Sequence, residues 1–210
     1  MTESSPTDLP ATRRALHGVA ELLLAGPQYR TGGLIRLRIT PGGFSTVASP
    51  ELRVDGEQLV AGSTRLPMAG RSYAELAEGV GVEAGAPSEL YADGSGVDPS
   101  DTVTLDPAAA RTIVAAFALG DAALRDLAPD AEPVLWPEHF DVGITVLQVN
   151  YGVSPGDGYL AEPYAYVGPH HPRRGAFWNA PFGATRPVAA LADVAGALRF
   201  FREGRDRASD

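Results

Sequence analysis

Three short runs in the C-terminal half alternate apolar and polar residues, and a period of two belongs to strands rather than helices. They occupy residues 140–147, 149–153 and 164–167. In the first, Phe140, Val142, Ile144 and Val146 take the core side, while His139, Asp141, Gly143 and Thr145 take the other. In the second, Val149, Tyr151 and Val153 face inward and Asn150, Gly152 and Ser154 outward. In the third, Ala165 and Val167 face inward while Glu162, Tyr164 and Tyr166 point away. An apolar sheet face is thus backed by one bearing acids, an imidazole, hydroxyls and aromatic rings, the chemistry of a binding surface. Gly143 and Gly152 lie on it. A strand glycine marks a close approach by a ligand or another backbone, or a bulge.

The rest of the chain supplies helices and a hairpin. Residues 1–8 read as a disordered tail and residues 9–205 as a single α+β domain. A helix is expected over residues 9–25, capped by Asp8, with Leu16, Val19, Ala20 and Leu23 as its apolar stripe and Gly26-Pro27 as its stop. Ile35, Leu37 and Ile39 alternate with Arg36 and Arg38 in a half-buried strand. Asp55-Gly56 predicts a two-residue hairpin turn that sets Leu52 opposite Leu59. Ser72 and Glu75 form a capping box before a short helix. Residues 85–101 are rich in Gly, Pro, Ser and Asp and read as loop, with "ELYAD" as a short strand. Asp106-Pro107 starts the longest helix, on which Ala110, Ile113, Phe117, Leu124 and Leu127 keep helical spacing. Gly120 weakens its middle by about 1 kcal/mol. A last helix follows Asp193, with Val194, Leu198 and Phe201 inward.

Composition narrows the function. The net charge is -9, which disfavours nucleic acid and anionic membranes as partners. There is no cysteine, hence no disulfide, thiolate nucleophile or thiolate metal site. All 17 basic residues are arginine, which with the abundant alanine and glycine suggests a high-GC bacterial genome. No basic segment leading into an apolar one opens the chain, and apolar runs such as "TIVAAFALG" are too short to span a bilayer, so a cytoplasmic location is expected. No Walker A, GxGxxG or HExxH pattern occurs. His139, Asp141, Asp157, Glu162, His170 and His171 are nitrogen and oxygen ligands without a diagnostic spacing. Glu138 or Asp141 with Glu162 would supply a carboxylate pair. Arg36 and Arg38 read as a solvated or salt-bridged face, or as an anion site.

Taken together, "VLWPEHFDVGITV", "VNYGVSPGD", "EPYAYVGP" and "GAFWNAPFGA" resemble a group of actinobacterial hypothetical proteins. More distantly they are similar to a bacterial domain-of-unknown-function family. There an "HFD"-like stretch is followed by a "PGD"-like turn, a "PYAYV"-like strand and a short C-terminal helix. The close resemblance covers residues 133–187. It implies an α+β fold and carries no catalytic residue with it.

The fold expected is therefore α+β, an antiparallel sheet, in one part or two, flanked by helices. The first functional reading is a small-molecule-binding protein with its pocket at His139, Asp141, Glu162, Tyr164 and Tyr166. Trp136, Trp178, Asn179 and His170 would roof it, with Asn150 on its floor and Asp157 at one end. The second is an enzyme on the same face, metal-assisted or not. His139 would be general acid or base, Asp141 its orienting partner, and Tyr164 or Asn179 the group that stabilises developing charge, with Glu162 a further acid. The third is an interaction module covered by a protein partner or by a second copy of itself. The structural alternative for His139 and Asp141 is a simple hydrogen bond, and for the tyrosines an aromatic cover for the sheet. No cofactor follows from the residues.

Overall fold

The computed structural model describes residues 8–91 and 94–209. Apart from Asp8, the expected N-terminal tail lies outside the described residues. The chain divides into two compact units. One takes the residues up to Val114 together with Leu135–Phe140, and the other takes Ala115–Val134 and everything from Asp141 onward. Each sets an antiparallel sheet against helices, so the α+β class read from the sequence is the one adopted.

In the N-terminal unit, α1 (Leu9–Gly18) begins where expected, the Asp8 carboxylate accepting from the Ala11 amide at 3.2 Å. It does not stop at Gly26-Pro27. A π-helical turn, Val19–Ala25, leads straight into α2 (Gly26–Gly32), and Gly33, at φ 71°, ends the run. Proline has no amide hydrogen to give to an α-helical ladder. The wider ladder just before it, with the Gly26 amide bonded to the Glu21 carbonyl, carries the helix past that gap. The strands β1 (Leu37–Thr40), β2 (Gly43–Thr46), β3 (Leu52–Asp55), β4 (Gln58–Ala61) and β5 (Thr64–Pro67) form a meander, and Leu135 of β6 (Val134–Trp136) pairs with Leu37 on its other edge.

The β3–β4 turn differs from expectation by one residue. Gly56-Glu57 is the loop, Asp55 faces Gln58, and Leu59 faces Val54 rather than Leu52. Gly56 at φ 60° takes the first loop position, which is where the common two-residue turn with one left-handed residue needs its glycine. Leu52, Val54 and Leu59 still share the buried face. The helix α3 (Tyr73–Gly79) has the expected capping box. "ELYAD" is no strand among the described residues: Ser88, Glu89 and Leu90 form a turn. Leu16, Leu23, Leu24, Leu37, Phe44 and Leu59 are fully buried, each contributing about 1.5–3 kcal/mol of hydrophobic stabilisation. The helix α4 (Pro107–Leu127) starts in this unit, its Asp106 carboxylate accepting from Ala109 at 2.7 Å.

The rest of α4 belongs to the C-terminal unit, with β7 (Asp141–Val146), β8 (Val149–Ser154), β9 (Tyr164–Pro169), β10 (Ala184–Pro187) and α5 (Val194–Ser209). The four strands pair antiparallel in sequence order. Gly120 has a purpose that offsets its cost in helix propensity. A methyl group there would lie 2.8 Å from a Val153 methyl and 2.9 Å from one of Val142, so the glycine lets α4 press onto β7 and β8. By length and composition alone, α4 at 21 residues could cross a bilayer, which corrects the expectation that every apolar run is too short. In α5, capped by Asp193, the buried stripe is Ala197, Phe200, Phe201, Gly204 and Ala208, while Val194 and Leu198 are half-buried. Gly204 sits against Val167 and centres the stripe on β9.

Candidate functional site

The alternation along β7, β8 and β9 puts Val142, Ile144, Tyr151, Val153, Ala165 and Val167 in the core. Phe140 is buried as expected, but outside that strand alternation. It precedes β7 with a left-handed backbone at φ 52° and packs in the N-terminal unit, stacked on His17 and edge-on to Phe44. The opposite, polar face is not uniformly open. Asp141, Ser154 and Tyr164 are buried on it, while Thr145 and Asn150 are exposed. The face therefore has a closed end and an open end.

Tyr166 closes the first. Its ring lies across β8, so a methyl group on Gly152 would sit 2.4 Å from its hydroxyl oxygen, and one on Gly143 3.1 Å. The two glycines thus accommodate a side chain of the protein itself. The Tyr166 hydroxyl donates a short hydrogen bond to Asp141 Oδ2. The neighbouring Tyr164 hydroxyl donates to Asp157 Oδ2 at 2.6 Å. The other Asp157 oxygen accepts from the Tyr159 and Leu160 amides at 2.7 and 3.0 Å, which fixes the "SPGDG" turn. Tyr159 lies edge-on to Tyr164 and to Phe182, at 6.2 and 5.2 Å between ring centres. Burial, reinforced by the facing carboxylates, holds both tyrosine hydroxyls well above their ordinary pKa. Both stay protonated and act as donors.

At the open end, Asn150 Oδ1 accepts from Thr145 Oγ1 at 2.8 Å and from His170 Nε2 at 3.2 Å. Its amide nitrogen has no partner among the described residues. Beside it lies a cavity of about 360 Å³ lined by Asn150, Tyr166, Gly168, His170, Arg173 and Phe182. From the sequence, Arg173 reads within "HHPRR" as part of an exposed loop or an anion-binding run, while Phe182, in "GAFWNAPFGA", has no periodicity to mark it as a site residue.

The remaining candidates lie elsewhere. Trp136 and His139 belong to the N-terminal unit and are exposed. Asp141, the proposed partner of His139, belongs to the other unit and accepts from Tyr166. Glu162 is exposed and makes no hydrogen bond or ion pair among the described residues. Asn179 is a structural clamp, bonded through its oxygen to the Thr185 amide at 2.8 Å and through its nitrogen to the Thr185 carbonyl at 3.2 Å. Trp178 lies edge-on to Phe177, which in turn packs on Phe200. His171 is exposed. No group of three His, Asp or Glu side chains among the described residues is placed to hold a metal.

The N-terminal unit holds a polar group the sequence reading passed over. Glu21, in the π-helical turn, is 2% exposed and accepts from the Ser95 amide at 2.7 Å. His17 donates from Nε2 to the Pro137 carbonyl at 2.6 Å. Burial lowers the His17 pKa, against the opposing pull of Glu21. One acid within the apolar run "VAELLLAG" was the signal available. Comparison with protein-family models, curated proteins and solved structures gives no match for the chain.

Proposed function

We propose that the C-terminal unit binds a small molecule at the open end of its sheet, over Asn150, His170 and Tyr166. The observation that carries this reading is the contrast between the two ends. At the closed end the tyrosine hydroxyls already meet carboxylates. At the open end an unpartnered amide borders a cavity of about 360 Å³, the size of a compact ligand site. The lining favours a ligand with a carbonyl or carboxylate acceptor for the Asn150 amide, and a flat flank for the Tyr166 and Phe182 rings. Binding is favoured over catalysis because Asp141 and Asp157 are each already engaged by a hydrogen bond from a tyrosine hydroxyl.

The test is an amide-resolved NMR screen of a metabolite mixture. A hit should shift the amides around Asn150, Gly168 and His170. Asn150→Ala and His170→Ala should each weaken it by up to about tenfold, the worth of one hydrogen bond, at unchanged melting temperature. Hits that bind both variants as tightly as the parent chain would refute the assignment.

A further inference from the structure

Arg38, singled out above for its place on a strand, belongs to a row that crosses the N-terminal sheet. Cross-strand pairing sets Arg38 beside Ser45, Ser45 beside Arg53, Arg53 beside Val60 and Val60 beside Arg65. All five share one face, opposite the one that buries Phe44, Val54 and Leu59. Arg38 and Arg53 stand two strands apart, about 10 Å between backbones, within reach of one small ligand between them. In a chain of net charge -9 this is a local concentration of cations.

The charges are unevenly matched. One oxygen of Asp55 serves both Arg53, at 3.4 Å, and Arg65, at 3.0 Å. Arg38 donates to the Ser45 hydroxyl at 3.1 Å and has no carboxylate partner among the described residues. Glu51 is exposed and likewise has no ion pair among them. Yet Arg38, Arg53 and Glu51 line one cavity of about 640 Å³, together with the hydroxyls of Thr40, Ser45 and Ser49. A cation and an anion thus border the same space without neutralising each other.

That space has rigid walls. Residues 47–51 form one side of it. Buried Gln28 accepts from the Val47 and Ala48 amides at 2.7 and 2.9 Å and donates to the Leu34 and Arg36 carbonyls at 2.9 Å each. Buried Thr46 donates to the Pro50 carbonyl at 2.8 Å and accepts from the Leu52 amide at 3.0 Å. The loop is therefore tied to the core at both ends, which lowers the cost of ordering it around a ligand.

We infer that this cavity binds a small zwitterion of the α-amino-acid class, its carboxylate on Arg38 and Arg53 and its ammonium on Glu51. Arginine pairs recognise carboxylates by charge-assisted hydrogen bonds, and a carboxylate lining the same cavity selects against a bare anion.

The experiment is an amide-resolved NMR titration of the full chain with L-serine, with L-leucine and, separately, with inorganic phosphate. L-Serine or L-leucine should give saturable shifts at Ser45, Val47, Ala48 and Ser49. Arg38→Ala, Arg53→Ala and Glu51→Gln should each weaken that binding by about tenfold. All three side chains are exposed, so the melting temperature checks that the variants fold. Saturable phosphate binding that tightens in Glu51→Gln, with no amino-acid binding, would make this a plain anion site and overturn the inference. Absence of saturable shifts with either amino acid would overturn it as well.

Discussion

Gln28 uses its whole hydrogen-bonding capacity at one point in the N-terminal unit. It is 0% exposed, and its four bonds join α2 to the 34–36 segment and to the 47–51 loop. Replacing it with leucine keeps the bulk and leaves two amides and two carbonyls without partners. A buried orphan costs about 1–3 kcal/mol and these four groups are part-buried, so Gln28→Leu should lose about 2 kcal/mol, read as a drop in the urea midpoint at constant slope. Nothing in "GPQYRTG" announces this role, since long-range side-chain bonds leave no periodic trace. Gly152 is the opposite case. The sequence marked it as a place of close approach, and the approaching group proved to be Tyr166. An alanine there would also lie 2.6 Å from the Val142 carbonyl, which is backbone and cannot step aside. Gly152→Ala should therefore cost about 1–3 kcal/mol and break the Tyr166–Asp141 bond, seen as a lowered tyrosine pKa in an alkaline absorbance titration. Gly158→Ala, with open space around it, is the control and should be neutral.

At the scale of elements, the β7–β8 hairpin carries an unusual turn. Leu147 and Gln148 both have left-handed backbones, at φ 51° and 63°, and Val146 pairs with Val149 around them. A two-residue turn of this hand matches the twist of its strands but favours Asn-Gly, and Leu147 is 83% exposed besides. The double substitution Leu147→Asn, Gln148→Gly should raise stability by about 1 kcal/mol and slow unfolding, measured by stopped-flow in urea. If the cavity beside Asn150 is a ligand site, hits from the screen should bind this variant unchanged. The elements were largely legible because their signals are local. The caps at Asp8, Ser72, Asp106 and Asp193 all form, and the three alternating runs are strands. The failures have two causes: the β3–β4 turn slips by one residue because Gly56 takes the first loop position, a local choice, and elsewhere a longer-range preference overrides a local one. The π-helical turn carries helix through a proline, and Gly204 recentres the buried stripe of α5. The candidate site was half legible. Alternation found Asn150 and Tyr166, but it could not show that Tyr166 folds back onto Asp141 or that His139 falls in the other unit.

For the whole chain, buried titratable groups bound a pH window of stability from both sides. His17 is held neutral by burial, below its ordinary value of 6.5. As pH falls through that value the unfolded chain takes up a proton that the folded one refuses, so stability is full above it and declines on acidification. The tyrosines act in the opposite direction. Burial pushes Tyr73 up to about 12 and raises Tyr91, Tyr164 and Tyr166 as well, from an ordinary value of 10.0. Above that value the unfolded chain releases protons the folded one keeps, so stability declines again as pH rises. The two tryptophans separate the units, because Trp136 reports on the N-terminal one and Trp178 on the C-terminal one. Urea unfolding followed by fluorescence in Trp178→Phe should show both declines, since His17, Tyr73 and Tyr91 belong to the unit it reports. In Trp136→Phe the alkaline decline should persist through Tyr164 and Tyr166. Adding His17→Gln to the Trp178→Phe background should flatten the acid limb while leaving the alkaline one in place. An acid limb unchanged by His17→Gln would move its origin to the carboxylates and remove His17 from the account.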